Sequence, residues 1–120
     1  MPVTPAQARK LALSLENVSA APHFNRTAFR TPRRIFATLA NDGADLNLMF
    51  DPALRDFYCE QEADAFSPVP GGWGKQGATR CDLKRVDKDT LLSALKAAHA
   101  LANAPKPVAK KSAKKTKRSG

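Results

Sequence analysis

Residues 35–50 read IFATLANDGADLNLMF and carry the clearest structural pattern in the chain. The run Ile35–Ala40 is mostly apolar, as expected of a buried strand. The segment 41–43, NDG, follows it, and Asp-Gly is among the strongest dipeptide signals for a tight hairpin. Polar and apolar residues then alternate, and the apolar positions are Leu46, Leu48 and Phe50. The stretch therefore predicts an antiparallel hairpin with one apolar face.

The residues before this hairpin predict one more strand. Phe24–Thr31 is rich in Phe and Thr and has no helical period, which favours a strand. Pro32 interrupts it and indicates a turn with Arg33 and Arg34 at its tip. Residues 22–50 are thus predicted to form a three-stranded antiparallel meander.

Helices are expected on both sides of the meander, each with a start signal. These signals are Thr4-Pro5, Asp51-Pro52 and Asp87. The last helix places four apolar residues at helical spacing, namely Leu91, Leu95, Ala98 and Ala102. Residues 78–85 predict a further strand. The order α-β-β-β-α-loop-β-α indicates an α+β domain, with an antiparallel sheet of about four or more strands and helices packed on one face.

A loop of unusual composition precedes the last strand. Residues 67–77, SPVPGGWGKQG, hold two Pro and four Gly, which exclude a regular helix or strand interior. The glycine N–H groups and Lys75 could hold a phosphate, although the spacing matches neither a Walker loop nor a dinucleotide fingerprint. We interpret the loop as a functional surface. Trp73 is expected to fill the core, and stacking on a base is the alternative.

Several of these motifs resemble the MmcQ/YjbR family over about residues 5–102. They are Ala21-Pro22-His23-Phe24, Arg26, Phe29-Arg30, residues 35–39 and the loop 66–77. The resemblance implies a DNA-binding protein with a fold similar to that of CyaY, the bacterial frataxin homologue, in which helices flank a sheet. Asn25 stands where many relatives have Gly, and Asn tolerates a positive φ better than most residues.

Charge divides the chain into two parts. It holds 20 Lys and Arg against 11 Asp and Glu, a net charge of +9, and seven of the cations lie in residues 103–120, which contain no acid. Residues 1–102 are therefore expected to form one domain with a net charge of +2, and residues 103–120 a disordered basic tail. The tail residues expected to bind phosphates are Lys110, Lys111, Lys114, Lys115, Lys117 and Arg118. Such binding releases counterions and is independent of sequence.

The domain adds basic residues of its own. Arg26 and Arg30 share one face of a predicted strand, and Arg33 and Arg34 lie at the hairpin tip. If the sheet brings Arg80 near them, one face becomes basic and suits a nucleic acid. The alternative is a solvated edge whose charges discourage pairing between strands of different molecules.

Other classes of protein fit the sequence poorly. No apolar run reaches the roughly 18–20 residues of a membrane span, and no secretory signal is visible, so a cytoplasmic protein is expected, with nucleoid association left open. His23 and His99, the two histidines, have no Ser, Cys or Asp at a triad or metal spacing. We therefore expect no enzyme activity, no cofactor and no metal, including the iron that a CyaY-like fold would suggest.

The sequence thus predicts a non-enzymatic protein that binds nucleic acid, with DNA favoured over RNA, largely independently of base sequence. The alternative is a module for a small ligand or a protein. Its pocket would include His23, Arg30, Trp73 and Lys75, and the tail would be an accessory. The oligomeric state is open, with a monomer favoured.

Overall fold

The structure, a computed structural model, describes residues 3–104. This part of the chain forms four helices and six strands. The helices are α1 (Pro5–Leu13), α2 (Pro52–Gln61), α3 (Gly72–Lys75) and α4 (Lys88–Asn103). The strands are β1 (Ser19–His23), β2 (Arg26–Arg30), β3 (Ile35–Ala40), β4 (Asp45–Met49), β5 (Phe66–Pro68) and β6 (Ala78–Asp82). None of these helices is long and apolar enough to cross a membrane.

All six strands form one antiparallel sheet in the order β1-β2-β3-β4-β6-β5. The predicted α+β class is therefore confirmed. The meander has four strands rather than the predicted three, because β1 precedes it and pairs with β2. Ser, Ala and Pro give β1 little strand propensity of its own, so its pairing with β2 decides its conformation.

The predicted helix starts are confirmed by their hydrogen bonds. The backbone N–H of Gln7 donates to the Thr4 hydroxyl at 3.1 Å, and the Gln7 side chain accepts from the Thr4 N–H at 3.0 Å. Asp51 and Asp87 accept from N–H groups three residues later, at 2.9 and 2.7 Å. Each cap satisfies backbone donors that the first helical turn leaves without a partner.

The core lies between the sheet and the helices. Leu46 and Leu48 of β4 are fully buried, and α4 lies across β3 and β4. The predicted apolar face of α4 is confirmed, since all four of its predicted residues are buried. Phe36 of β3 is also fully buried and meets His99 of α4 edge-on, with ring centroids 5.4 Å apart. Burial of each such large side chain contributes about 1.5–3 kcal/mol.

The Pro- and Gly-rich loop is more regular than expected. Phe66–Pro68 forms the short edge strand β5, and Gly72–Lys75 forms α3, a single helical turn, so the exclusion of regular structure was wrong. Gly74 allows this because a Cβ there would lie only 1.8 Å from the carbonyl oxygen of Val69. The loop can therefore fold back closely on itself only with glycine at position 74.

The turn between β1 and β2 also differs from expectation. Phe24 and Asn25 form this two-residue turn, so the strand predicted over Phe24–Thr31 begins at Arg26 instead. The positive φ lies at Phe24, at 57°, and not at Asn25. Asn25 therefore does not use the tolerance of Asn for a positive φ, and the residue in the left-handed region is its neighbour Phe24.

Candidate nucleic-acid interface

The face of the sheet opposite α4 carries a cavity of about 720 Å³. Side chains alternate along a strand, so Asn47 and Met49 point away from the side on which Leu46 and Leu48 are buried. The floor of the cavity consists of Ile35, Thr38, Asn47, Met49 and Ala78. We call this surface the open face.

Three parts of the chain surround this floor. His23, Phe24 and Asn25 bound it at the β1–β2 turn. At the opposite ends of these strands, the β2–β3 turn contributes Arg33 and Arg34, beside Arg30. Trp73 of α3 closes the side nearest β5 and β6. Phe24 and Trp73 thus lie at diagonally opposite corners of the open face.

The wall of the cavity is strongly basic. It includes the four arginines of β2 and the β2–β3 turn, namely Arg26, Arg30, Arg33 and Arg34. None of the described residues that line it is acidic. The structure thus brings together these four predicted residues with His23 and Trp73. An anion inside the cavity would meet several guanidinium groups and no carboxylate of the wall.

Arg26 is the most constrained of these arginines. Its Nε donates to the Thr38 hydroxyl at 2.9 Å, and its Nη2 donates to the Thr38 carbonyl at 2.9 Å and to Asp45 Oδ1 at 2.8 Å. Both charged side chains are largely buried. Arg26 therefore ties β2 to β3 and β4, and part of its charge is compensated by Asp45.

Asp45 pairs with a second predicted residue as well. Arg80 Nε lies 3.2 Å from Asp45 Oδ2, and the Arg80 side chain is 52% exposed. One carboxylate therefore serves two arginines and leaves the group with a net charge of +1. The sequence placed Asp45 on the polar side of β4 but contained no signal for this pairing, which depends on the register between β4 and β6.

Three arginines of the cavity wall make no ion pair within residues 3–104, namely Arg30, Arg33 and Arg34. Arg30 Nε donates to the Thr31 carbonyl at 3.3 Å, and Arg34 donates to carbonyl oxygens at the end of α4. The Arg33 side chain makes no hydrogen bond to this part of the chain, and its position at the hairpin tip is confirmed. These guanidinium charges are available to an anionic ligand.

Two aromatic side chains project at the rim. Trp73 is 65% exposed, so the interpretation that it fills the core was wrong. Its single helical turn is held in place by Arg55, which donates to the Gly74 carbonyl at 2.7 Å. Phe24 is 93% exposed and was missed, because the sequence placed it within a strand. Asn25 was the one local signal for a turn, since Asn is frequent in turns.

Some predicted residues lie elsewhere. Lys75 is exposed on α3, and neither it nor Arg80 lines the cavity. The tail residues Lys110, Lys111, Lys114, Lys115, Lys117 and Arg118 lie outside the described part of the chain. Residues 3–104 contain no cluster of three or more His, Cys, Asp or Glu side chains arranged to hold a metal ion.

Fold and site together define a class: a small α+β protein with a single antiparallel sheet, one face covered by α4 and the other carrying a basic cavity. Residues 13–101 match the model of the YjbR family, and the chain belongs to that family, as its motifs predicted.

A solved structure supports the fold. The chain is similar to the crystal structure of the Deinococcus radiodurans protein DR2400, which has a DUF419 domain. The TM-score is 0.69 at 18% sequence identity, over 82% of this chain and 78% of that one. At this identity the likeness establishes the fold alone. No curated protein matches the sequence significantly.

Proposed function

We propose that the open face binds nucleic acid, largely independently of base sequence, and that the basic tail adds affinity. The observation that carries this proposal is the set of four arginines on a cavity wall without an acidic residue. Guanidinium groups bind phosphate oxygens through paired, charge-assisted hydrogen bonds. A repeating polyanion can engage several of them at once, which a single carboxylate cannot do.

The proposed role of the tail follows from its composition. Seven cations without an acid can displace counterions from a polyanion whatever its sequence. Engaging about six or seven phosphates gives a slope of log K against log salt near −5 to −6. The tail would thus supply affinity, and the open face would determine where and how the polymer lies.

The first experiment tests the open face. Fluorescence anisotropy with labelled DNA and RNA, at two salt concentrations, compares the full chain with the Arg30→Gln/Arg33→Gln variant. We expect about tenfold weaker binding and a salt slope smaller by roughly 1.5, because two phosphate contacts are lost. The matched control is Arg9→Gln/Lys10→Gln on α1, which removes the same charge outside the cavity. Equal losses in both variants would contradict the proposal, as would failure of the full chain to bind any nucleic acid in dilute buffer.

A second variant tests the tail. Substitution of Gln at Lys110, Lys111, Lys114, Lys115 and Lys117 should weaken binding similarly for all sequences and flatten the salt slope. Unchanged affinity for duplex DNA in this variant would show that the tail has no such role.

A small anionic ligand is the second candidate, because the cavity volume of about 720 Å³ falls within the usual range for small-molecule sites. His23, Arg30 and Trp73 line it together, whereas Lys75 does not. Trp73 is the only tryptophan, so its fluorescence reports directly on this site. A response to mononucleotides without any response to polynucleotides would favour this candidate over the first.

A further inference from the structure

We propose that the occupant of the open face is an unpaired, single-stranded segment of nucleic acid, with bases stacked on Phe24 and Trp73. This inference rests on the function proposed above and specifies its substrate. Residues 3–104 expose four large apolar side chains, and two of them, Phe24 and Trp73, line the same basic cavity. Aromatic rings beside unpaired arginines are the usual composition of a surface that binds single strands.

Phe24 has a conformation that the fold alone does not favour. Its φ of 57° lies in the left-handed region, which Gly and Asn adopt far more readily than a bulky residue. Within residues 3–104 its ring is 93% exposed and makes an edge contact with His23, at 4.9 Å between centroids, so burial gives little in return. A strained and exposed aromatic residue at the mouth of a cavity indicates a role in binding rather than in stability.

Trp73 is exposed although its backbone is tightly held. Gly74 packs against the Val69 carbonyl, and Arg55 donates to the Gly74 carbonyl. The backbone that carries the ring is therefore held in place, which favours a stacking platform. Because α3 follows the edge strand β5 while Phe24 joins β1 to β2, the two rings are separated by the middle strands. At about 4.8 Å per strand, the component of this separation across the strands is roughly 15–20 Å.

The chemistry of the two rings distinguishes single strands from duplexes. In a duplex, neighbouring bases cover each other's faces, and a protein meets mainly phosphates and groove edges. An unpaired strand offers both its phosphates and its base faces, which suit the arginines and the two rings respectively. An acidic peptide offers carboxylates but no such faces, so the rings favour nucleic acid over an acidic protein segment.

The experiment measures binding of the full chain to a labelled single strand of about 12 nucleotides, within the usual site size, and to the corresponding duplex. The variants are Phe24→Gly and Trp73→Ala. The control is Phe57→Ala, which removes a half-exposed ring on α2 outside the cavity. Quenching of Trp73 fluorescence reports on stacking, and a thermal melt of each variant reports on folding.

We expect the wild type to prefer the single strand. Each of Phe24→Gly and Trp73→Ala should lower single-strand affinity about tenfold, and duplex affinity by less than about twofold. Phe57→Ala should change neither affinity. Phe24→Gly should keep or raise the melting temperature, because Gly relieves the positive φ. Loss of binding in a more stable variant cannot result from unfolding.

Other outcomes separate this inference from the function it rests on. A wild type that prefers duplex, or ring variants that lose both affinities equally, would overturn the single-strand inference and leave nucleic-acid binding intact. Binding of poly-glutamate as tightly as the single strand would overturn it too. Failure to bind either nucleic acid would overturn both proposals.

Discussion

Arg34 Nε donates to the carbonyl oxygen of Ala102 at 3.1 Å, which joins the tip of the β2–β3 hairpin to the end of α4. Its Nη2 donates to the carbonyl oxygen of Ala104 at 3.4 Å. Because Arg34 also lines the cavity, the tail sequence starts beside the open face. The 16 residues that follow Ala104 would span at most about 55 Å if fully extended. Tail and open face can therefore engage adjacent parts of one polymer.

The Arg34 contact gives the first prediction. Arg34→Gln should lower the free energy of unfolding by about 1 kcal/mol, because the last carbonyls of α4 lose a charged donor. Hydrogen exchange should become faster in the last turn of α4 and stay unchanged in its first turn. Arg33→Gln is the matched control, since that side chain makes no bond within residues 3–104. Equal exchange rates in the two variants would contradict this role of Arg34.

The second prediction concerns the carboxylate shared by Arg26 and Arg80. Asp45→Asn should lower the free energy of unfolding by about 2 kcal/mol, because largely buried Arg26 loses its charged partner. Affinity for nucleic acid should rise in the same variant, because two arginines near the open face are no longer compensated. Urea unfolding and anisotropy measure the two effects, which have opposite signs.

Asp56→Asn provides the control for Asp45. It changes the net charge equally but removes only the ion pair of an exposed carboxylate, 59% accessible, with Arg55 on α2. We expect a stability change below about 0.5 kcal/mol and almost no change in affinity. If Asp56→Asn raised affinity as much as Asp45→Asn, net charge rather than the position of Asp45 would account for the effect.

How much of the fold the sequence predicts depends on the kind of signal. Caps and helical faces are local, so Thr4, Asp51, Asp87 and the apolar face of α4 were predicted correctly. The strand β1 and the short β5 depend on pairing with a neighbour, and their own residues carry little strand preference. Sequence periodicity cannot detect strands whose conformation is set by tertiary pairing.

The same distinction between local signals and tertiary contacts applies to the candidate site. The hairpin tip and its arginines were predicted because a turn signal and charge are both visible in the sequence. The exposure of Trp73 was not, since burial of an aromatic residue is the usual outcome and depends here on how α3 folds back. Phe24 was missed because its turn contradicts local preference, which is characteristic of functional positions.

The third prediction compares two glycines of the loop. In Gly77→Ala, the new Cβ would lie 2.3 Å from the Phe50 carbonyl oxygen at a φ of 117°, so we expect a loss of about 2 kcal/mol. Gly72 faces open space and has no positive φ, so Gly72→Ala should keep stability or raise it by about 0.5 kcal/mol. Thermal or urea unfolding measures both.

Gly72→Ala also tests whether the loop backbone holds a phosphate. If its N–H groups approach a phosphate closely, an added methyl group in that open space should weaken binding without any loss of stability. We expect unchanged affinity for nucleic acid, because in our proposal the arginines and the two aromatic rings make the contacts. A clear decrease would assign the loop backbone a direct contact.

The last prediction concerns Cys81, which is fully buried in β6. Burial, with smaller contributions from Asp82 and Asp45, raises the pKa of its thiol from 9.0 to about 12. The folded state therefore keeps the proton at a pH where the unfolded chain releases it. This pKa difference contributes to the free energy of unfolding. The contribution is fully present below pH 9.0 and decreases as the pH rises toward 12, by about 1.4 kcal/mol per pH unit.

Between pH 8 and about 10.5, the free energy of unfolding of the wild type should thus fall by about 2 kcal/mol more than that of Cys81→Ala, measured by urea unfolding under reducing conditions. If the free energy of unfolding fell equally in the two proteins, the Cys81 thiol would ionise as easily in the folded chain as in the unfolded chain. Water would then reach β6 at Cys81.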